Sequence, residues 1–139
     1  MIVADTSGIY ASVDTAAAEH KAVLAILAEV NEPPLVTPFV VAEVDYLLTT
    51  RFGAKTAITF LQDVADGAYE LVEFHPGDLG TAVGVVQRYA DLNIGVTDAS
   101  LVVAAARYGT TDLLSLDERH FRVIAPLWGA AFRLLPADY

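Results

Sequence analysis

The sequence predicts an α/β fold, a parallel sheet with helices on both faces. Two observations carry this prediction. Short apolar runs alternate with longer stretches of helical spacing, and two of the runs close on an aspartate. A third observation bounds the domain count: 139 residues hold no linker, repeat or low-complexity tract, which predicts a single domain over 1–139.

In chain order, "MIVAD" is a buried strand closed by Asp5, and "TSGIYASV" is a short helix or turn. Thr15 to about Val30 has helical spacing, with Ala18, Ala22, Leu24, Ile26, Leu27 and Val30 expected inside and Glu19, Lys21 and Glu29 outside. "PLVTP" is a strand ending at Pro38, a residue suited to the first turn of a helix. The helix Phe39 to Arg51 follows and stops near Gly53, and another runs from Ala54 to Ala65 with Ile58, Leu61 and Val64 expected inside. Tyr69 to Phe74 alternates as a half-buried strand, and Pro76 opens a helix through about Tyr89. Asp98 to Tyr108 is an apolar helix ending at Gly109, Asp112 to Leu116 is a buried strand closed by Asp117, and "FRLLP" is the last strand.

Eighteen acids against eight lysines and arginines give a net charge of −10. Such a chain repels phosphate unless its carboxylates gather around cations, which invert the local sign. There is no cysteine, and so neither a disulfide nor a thiolate metal site. The N-terminus carries no secretory pattern, and the longest apolar run, Ala22 to Ala28, is far short of the ~20 residues of a membrane span. A soluble, cytoplasmic protein is expected. The apolar fraction, 55%, exceeds the usual range of about 45–50%. The surplus implies either apolar surface covered by another chain or an alanine-rich core of closely packed helices.

Asp5 ends the first strand, Asp98 begins a helix and Asp117 ends a later strand. In a parallel sheet these positions share the edge outside the carboxyl ends of the strands, where ligands bind. Each aspartate taken alone is also explicable as a helix cap. Glu43 is not: it edges the stripe of Val40 and Leu47 in mid-helix, where an unpaired carboxylate is costly. A salt bridge to an arginine such as Arg107, or a reach to solvent, would explain it blandly. A cavity holding positive charge explains it together with the other three. Carboxylates of this kind suit Mg²⁺ or Mn²⁺. His20, His75 and His120 show no metal-ligand spacing, and His120 reads as a surface residue. Five of the eight basic residues, Arg88, Arg107, Arg119, Arg122 and Arg133, fall in the C-terminal part and are candidates for a phosphate path.

"VADTS" with Asp5, "TPFVVAEVDYLL" with Glu43, "VTDASLVVAAARYG" with Asp98 and "LLSLDERHF" with Asp117 resemble, in order, the four signature blocks of PIN-domain ribonucleases. The small size and the C-terminal blocks are most similar to VapC-type toxins of bacterial type II toxin–antitoxin systems. The resemblance implies a three-layer α/β/α sandwich and one or two Mg²⁺ or Mn²⁺ ions held by Asp5, Glu43, Asp98 and Asp117, the catalytic acids. It implies endonucleolytic cleavage of RNA to 5′-phosphate and 3′-hydroxyl ends, with inhibition of translation and growth. Thr6 or Ser7 would support the acids through a hydroxyl. It further implies a homodimer and a cognate VapB-type antitoxin lying in an apolar groove, for which Ile9, Tyr10, Tyr46, Leu47, Phe52 and Phe60 are candidates. Receiver domains and haloacid-dehalogenase-type phosphatases also gather acids at a sheet edge. The first need an early acidic pair and a late lysine, whereas the last lysine here is Lys55; the second need an aspartate where Ser7 stands. A catalytically inactive PIN-like module that binds RNA or protein is the alternative from another class.

Overall fold

The computed structural model describes residues 1–139. Its elements are β1 (Val3–Ala4), α1 (Thr6–Val13), α2 (His20–Glu29), β2 (Leu35–Val36), α3 (Pro38–Phe52), α4 (Ala54–Ala65), β3 (Glu70–Leu71), α5 (Pro76–Arg88), a 3₁₀ turn (Ala90–Leu92), α6 (Val96–Tyr108), β4 (Asp112–Leu114), α7 (Glu118–Phe121) and β5 (Arg133–Leu135). The five strands form one sheet in the order β3-β2-β1-β4-β5, and every pairing is parallel. With helices on both faces this is the expected three-layer α/β/α sandwich.

The strand order fixes where a ligand can sit. From β1 the chain moves outward through β2 to β3, then returns to add β4 and β5 on the other side of β1. The order therefore reverses between β1 and β4, and the crevice beyond their carboxyl ends is the topological switch point. Asp5 follows β1 there, and the loop Ser115–Asp117 follows β4. The backbone stays paired past the strand ends, the Asp5 N–H donating to the Leu114 carbonyl at 3.0 Å.

One continuous cluster of 31 buried apolar residues forms the core. At its centre α6 is buried on all sides from Ala99 to Ala105, which is why its sequence lacks a polar face. The helix stops at Gly109, whose φ of 66° is a left-handed cap that favours glycine. Gly8 is fixed by proximity. A Cβ there would lie 2.4 Å from the Leu114 carbonyl oxygen, so only glycine lets α1 close onto β4 behind the crevice.

Several sequence expectations need correction. α2 begins at His20, not Thr15, because Asp14 folds residues 14–17 into a turn, its Oδ1 accepting from the Ala16 N–H at 3.0 Å. Its buried face is Val23 and Ile26, while Ala18, Ala22 and Leu24 are exposed. α4 buries Ala57 and Phe60, leaving Ile58 62% and Leu61 39% exposed. Both helices carry apolar residues on more than one face, so periodicity alone does not choose the inward one. β3 is an edge strand whose two residues are both exposed, so the expected alternation holds only at Val72, just past its end. Part of the apolar surplus is thus on the surface, at Tyr46, Ile58, Leu71, Val83, Val123, Leu127 and Trp128.

Candidate active site

Asp5 is the most enclosed acid of the crevice, 5% exposed. It caps α1, Oδ1 accepting from the Thr6 N–H at 2.7 Å. Its Oδ2 accepts from the Ser7 hydroxyl at 2.8 Å and from the Ser115 hydroxyl at 2.7 Å. Each serine has one proton and gives it to Asp5; each in return accepts a backbone N–H from the loop after β4. Leu116 donates to Ser7 at 2.9 Å and Asp117 to Ser115 at 3.1 Å. Two hydroxyls therefore weld the end of β1 to the end of β4 through one carboxylate. Burial pushes the Asp5 carboxyl up from the ordinary 3.8, while the two serines and the Thr6 N–H stabilise its charge and pull it back.

Ser7 makes the side-chain contact with Asp5 that the sequence left open between two residues. The Thr6 hydroxyl is buried and has no hydrogen-bond partner. Ser115 was missed by sequence reasoning; an alternation count along "DLLSL" does not distinguish a serine facing an acid from one facing water.

Asp98 lies in the first turn of α6, whose cap is Gly95, and makes no capping bond, so that reading fails for it. Its carboxyl is pushed up from 3.8 to about 6, by burial first and then by the charge of Asp5; Asp117 and Glu43 add repulsion, and His120 alone opposes it. Asp117 does cap α7, Oδ1 accepting from the His120 N–H at 3.0 Å. The His120 ring turns back between two acids: Nδ1 is 2.8 Å from Asp117 Oδ2 and 3.7 Å from Asp98 Oδ2. Facing carboxylate oxygens, that nitrogen carries the proton. His120 is therefore not the free surface residue expected. The clue in the sequence was its place three residues after Asp117, one helical turn.

Glu43 is exposed, not turned inward as expected. The buried stripe of α3 is Val40, Val44 and Leu48, and Glu43 flanks it, close enough to repel Asp98 but hydrated at the rim. Hydration is the cheaper state for a charge without a partner. No arginine meets it; Arg107 pairs with Asp78 instead. As placed, no three Asp, Glu or His side chains form a closed ligand shell. The donor set nonetheless suits a hard divalent cation: carboxylates that repel one another, hydroxyl support behind Asp5, and no lysine or arginine paired with Asp5, Asp98 or Asp117.

The PIN-domain family model matches residues 2–126. This chain belongs to the PIN-domain family. Ribonuclease VapC26 of Mycobacterium tuberculosis (strain ATCC 25618 / H37Rv) is 38% identical over 135 residues, covering 97% of this chain and all of the relative. Among solved structures, M. tuberculosis VapC20, described as a toxin cleaving the sarcin-ricin loop, superposes with a TM-score of 0.78 at 18% identity, covering 85% of this chain and 91% of that one. VapBC2 from Rickettsia felis, bound to a promoter DNA fragment, gives 0.69 at 17% identity, covering 96% and 98%. The relatives place this PIN domain with the VapC-type toxins.

The apolar candidates of this PIN domain divide. Ile9 and Phe60 are buried where α1 and α4 turn those faces inward; Ile9 is wholly enclosed, whereas Phe60 forms the floor of an open pocket with Ser12, Val13, Thr56, Thr59, Asp63 and Tyr69. Tyr10 and Leu47 are half-buried, and Tyr46 and Phe52 are exposed. Tyr10 and Phe52 pack together with ring centroids 5.8 Å apart, forming an aromatic surface between α1 and the end of α3. Among the arginines, Arg107, Arg122 and Arg133 are held by Asp78, by Glu118 with Asp138, and by Asp112. Arg119 has no carboxylate partner, and Arg88 lies over the Tyr89 ring at 5.5 Å. No helix is long and apolar enough to cross a membrane.

Proposed function

We propose that this PIN domain is a cytoplasmic, Mg²⁺- or Mn²⁺-dependent endoribonuclease toxin, held in check by a VapB-type antitoxin. One observation carries the reading. At the switch point between β1 and β4, Asp5, Asp98 and Asp117 gather with Glu43 at the rim; burial first, and then the charge of the neighbouring acids, raises the Asp98 carboxyl to about 6, and no lysine or arginine is paired with any of the three. Such an arrangement is stabilised by a bound cation.

Asp5, Glu43, Asp98 and Asp117 would hold one or two ions. A bound divalent cation would supply charge to offset the scissile phosphate and would lower the pKa of a water so that it is available as hydroxide for attack. The chain supplies the rest. Ser7 and Ser115 fix the Asp5 carboxylate in one orientation, Oδ2 being tied by both. Release of His120 from Asp117 would free that carboxylate for the ion. Arg119, exposed, without a carboxylate partner and next to His120 on α7, would be a contact for the RNA backbone. The half-buried Tyr10 with the exposed Tyr46 and Phe52 would offer an apolar surface to an antitoxin segment, and the net charge of −10 favours a basic one. A homodimer would cover further apolar surface.

The test is cleavage of total cellular RNA by purified, antitoxin-free protein with Mg²⁺ or Mn²⁺, with EDTA, and beside Asp98→Asn. The expected result is discrete fragments that vanish with EDTA and with the substitution. Cleavage unchanged in Asp98→Asn would sink the site assignment. A folded protein with no cleavage would leave a binding module.

A further inference from the structure

Behind the crevice a second hydroxyl pair joins two helices that carry acids. Thr37 ends the β2 segment and caps α3; Ser100 lies in the second turn of α6; both are fully buried. Their oxygens are 2.8 Å apart. The Ser100 hydroxyl donates to the Thr97 carbonyl at 2.6 Å. It has no second proton, so Thr37 donates to Ser100. The Thr37 oxygen in turn accepts the Val40 N–H at 3.4 Å. The result is a directed chain, Val40 N–H to Thr37 to Ser100 to Thr97 C=O, with both hydroxyls satisfied away from water.

Each end of this chain is anchored on a helix that carries an acid. Thr97 precedes Asp98, so the last bond pins the turn from which Asp98 projects. Glu43 lies six residues beyond Thr37, about 9 Å along α3. The Thr37–Ser100 hydrogen bond is directional, whereas apolar contact is not, so the pair fixes the register of α3 on α6 in a way that apolar packing does not. Like charge on Glu43 and Asp98 works to part the two helices, and no basic side chain pairs with Glu43 to oppose it.

We propose that Thr37 and Ser100 are positioning residues for the acidic site: their hydroxyl pair sets the spacing of Glu43 and Asp98 needed to hold the cation. This rests on the metal-dependent reading above and goes beyond it, because neither residue touches the acids directly.

The test is Mn²⁺ binding, followed by electron paramagnetic resonance of the free ion, alongside thermal denaturation. It compares the parent with Thr37→Val, Thr37→Ser and Ser100→Ala at a temperature where circular dichroism shows each folded. Thr37→Val and Ser100→Ala are each expected to weaken Mn²⁺ binding about tenfold, the lower end of the range for residues that orient ligands. Thr37→Ser keeps the hydroxyl and is expected to stay within about twofold of the parent, in line with the same principle. Should Thr37→Val prove unfolded, Ser100→Ala carries the same expectation. A lowered melting temperature with unchanged Mn²⁺ affinity would overturn the proposal, leaving the pair a packing device. Equal weakening by Thr37→Ser and Thr37→Val would overturn it too. A parent that binds no Mn²⁺ would instead refute the metal-dependent reading, an outcome visible before any variant is measured.

Discussion

Two groups of carboxylates in this molecule behave in opposite ways. In the C-terminal clasp, Asp138 receives both guanidinium nitrogens of Arg122 at 2.7 Å and the Leu134 N–H at 2.8 Å, and its carboxyl is pulled down to about 2. At the switch point, Asp98 meets buried surroundings and three other acids, and its carboxyl rises to about 6. The residue type is the same and the chain is the same. In the clasp an arginine is beside the acid; where acids face the crevice, the arginines are elsewhere. At the crevice the repulsion on Asp98 is opposed only by His120, and a strongly perturbed acid in such a crevice is a candidate for function.

The largest effect should come from discharging one acid there. Asp98→Asn is expected to lower RNA cleavage at least a hundredfold, about 3 kcal/mol of transition-state stabilisation, while the melting temperature of the metal-free protein holds or rises. A fall in both together would mean that Asp98 is structural and that the contrast with Asp138 is misread.

The contrast also has a pH signature. A carboxyl raised in the folded state binds its proton more tightly there than in the unfolded chain. Metal-free stability should therefore increase as pH falls from about 6 towards 4, by at most about 3 kcal/mol from Asp98. Asp138 has the opposite sign: its contribution is present above 3.8 and is lost as pH falls towards 2. Urea denaturation from pH 3 to 8, with and without Mg²⁺, checks both. The ion should abolish the gain between 6 and 4, since it favours ionised acids.

Gly8→Ala tests whether the crevice depends on its backing. The added methyl meets the Leu114 carbonyl, and overpacking of this kind costs about 1–3 kcal/mol. Chemical denaturation should show that loss, accompanied by reduced cleavage as Asp5 and Ser115 are forced apart. The smallest effect is expected at the clasp. Arg122→Ala should slightly lower the urea midpoint in low salt, less so at 1 M NaCl, and leave the cleavage rate unchanged. A large loss of cleavage would mean that the clasp and the crevice are coupled.

Much of the fold could be read in advance because its signals are local. Pro38 marks the start of α3, Gly109 the end of α6, and the short apolar runs ending at Asp5 and Asp117 the two strands that flank the crevice. Signals were ambiguous where a helix is apolar on several faces. In α4 the spacing Ile58, Leu61, Val64 competes with Ala57, Phe60, Val64, and only docking against the rest of the molecule selects the second. Glu43 was read correctly as lying near the other acids but wrongly as enclosed, because angular position on a helix says nothing about how far a flexible side chain reaches into water.

The sequence by itself determined the alternation of strands and helices and the order of four acids, and through them the sheet edge at which those acids meet. These follow from periodicity, capping chemistry and the direction of a parallel sheet, all of which act over a few residues. The tertiary structure alone decided the polar partners at and behind those acids. Ser115 reaches Asp5 across 110 residues, and Thr37 reaches Ser100 across 63. His120, though only three residues from Asp117, comes within 3.7 Å of Asp98 only in the folded chain. Hydrogen bonds are short and directional, so their partners are settled only when packing has fixed the elements to within a fraction of an ångström.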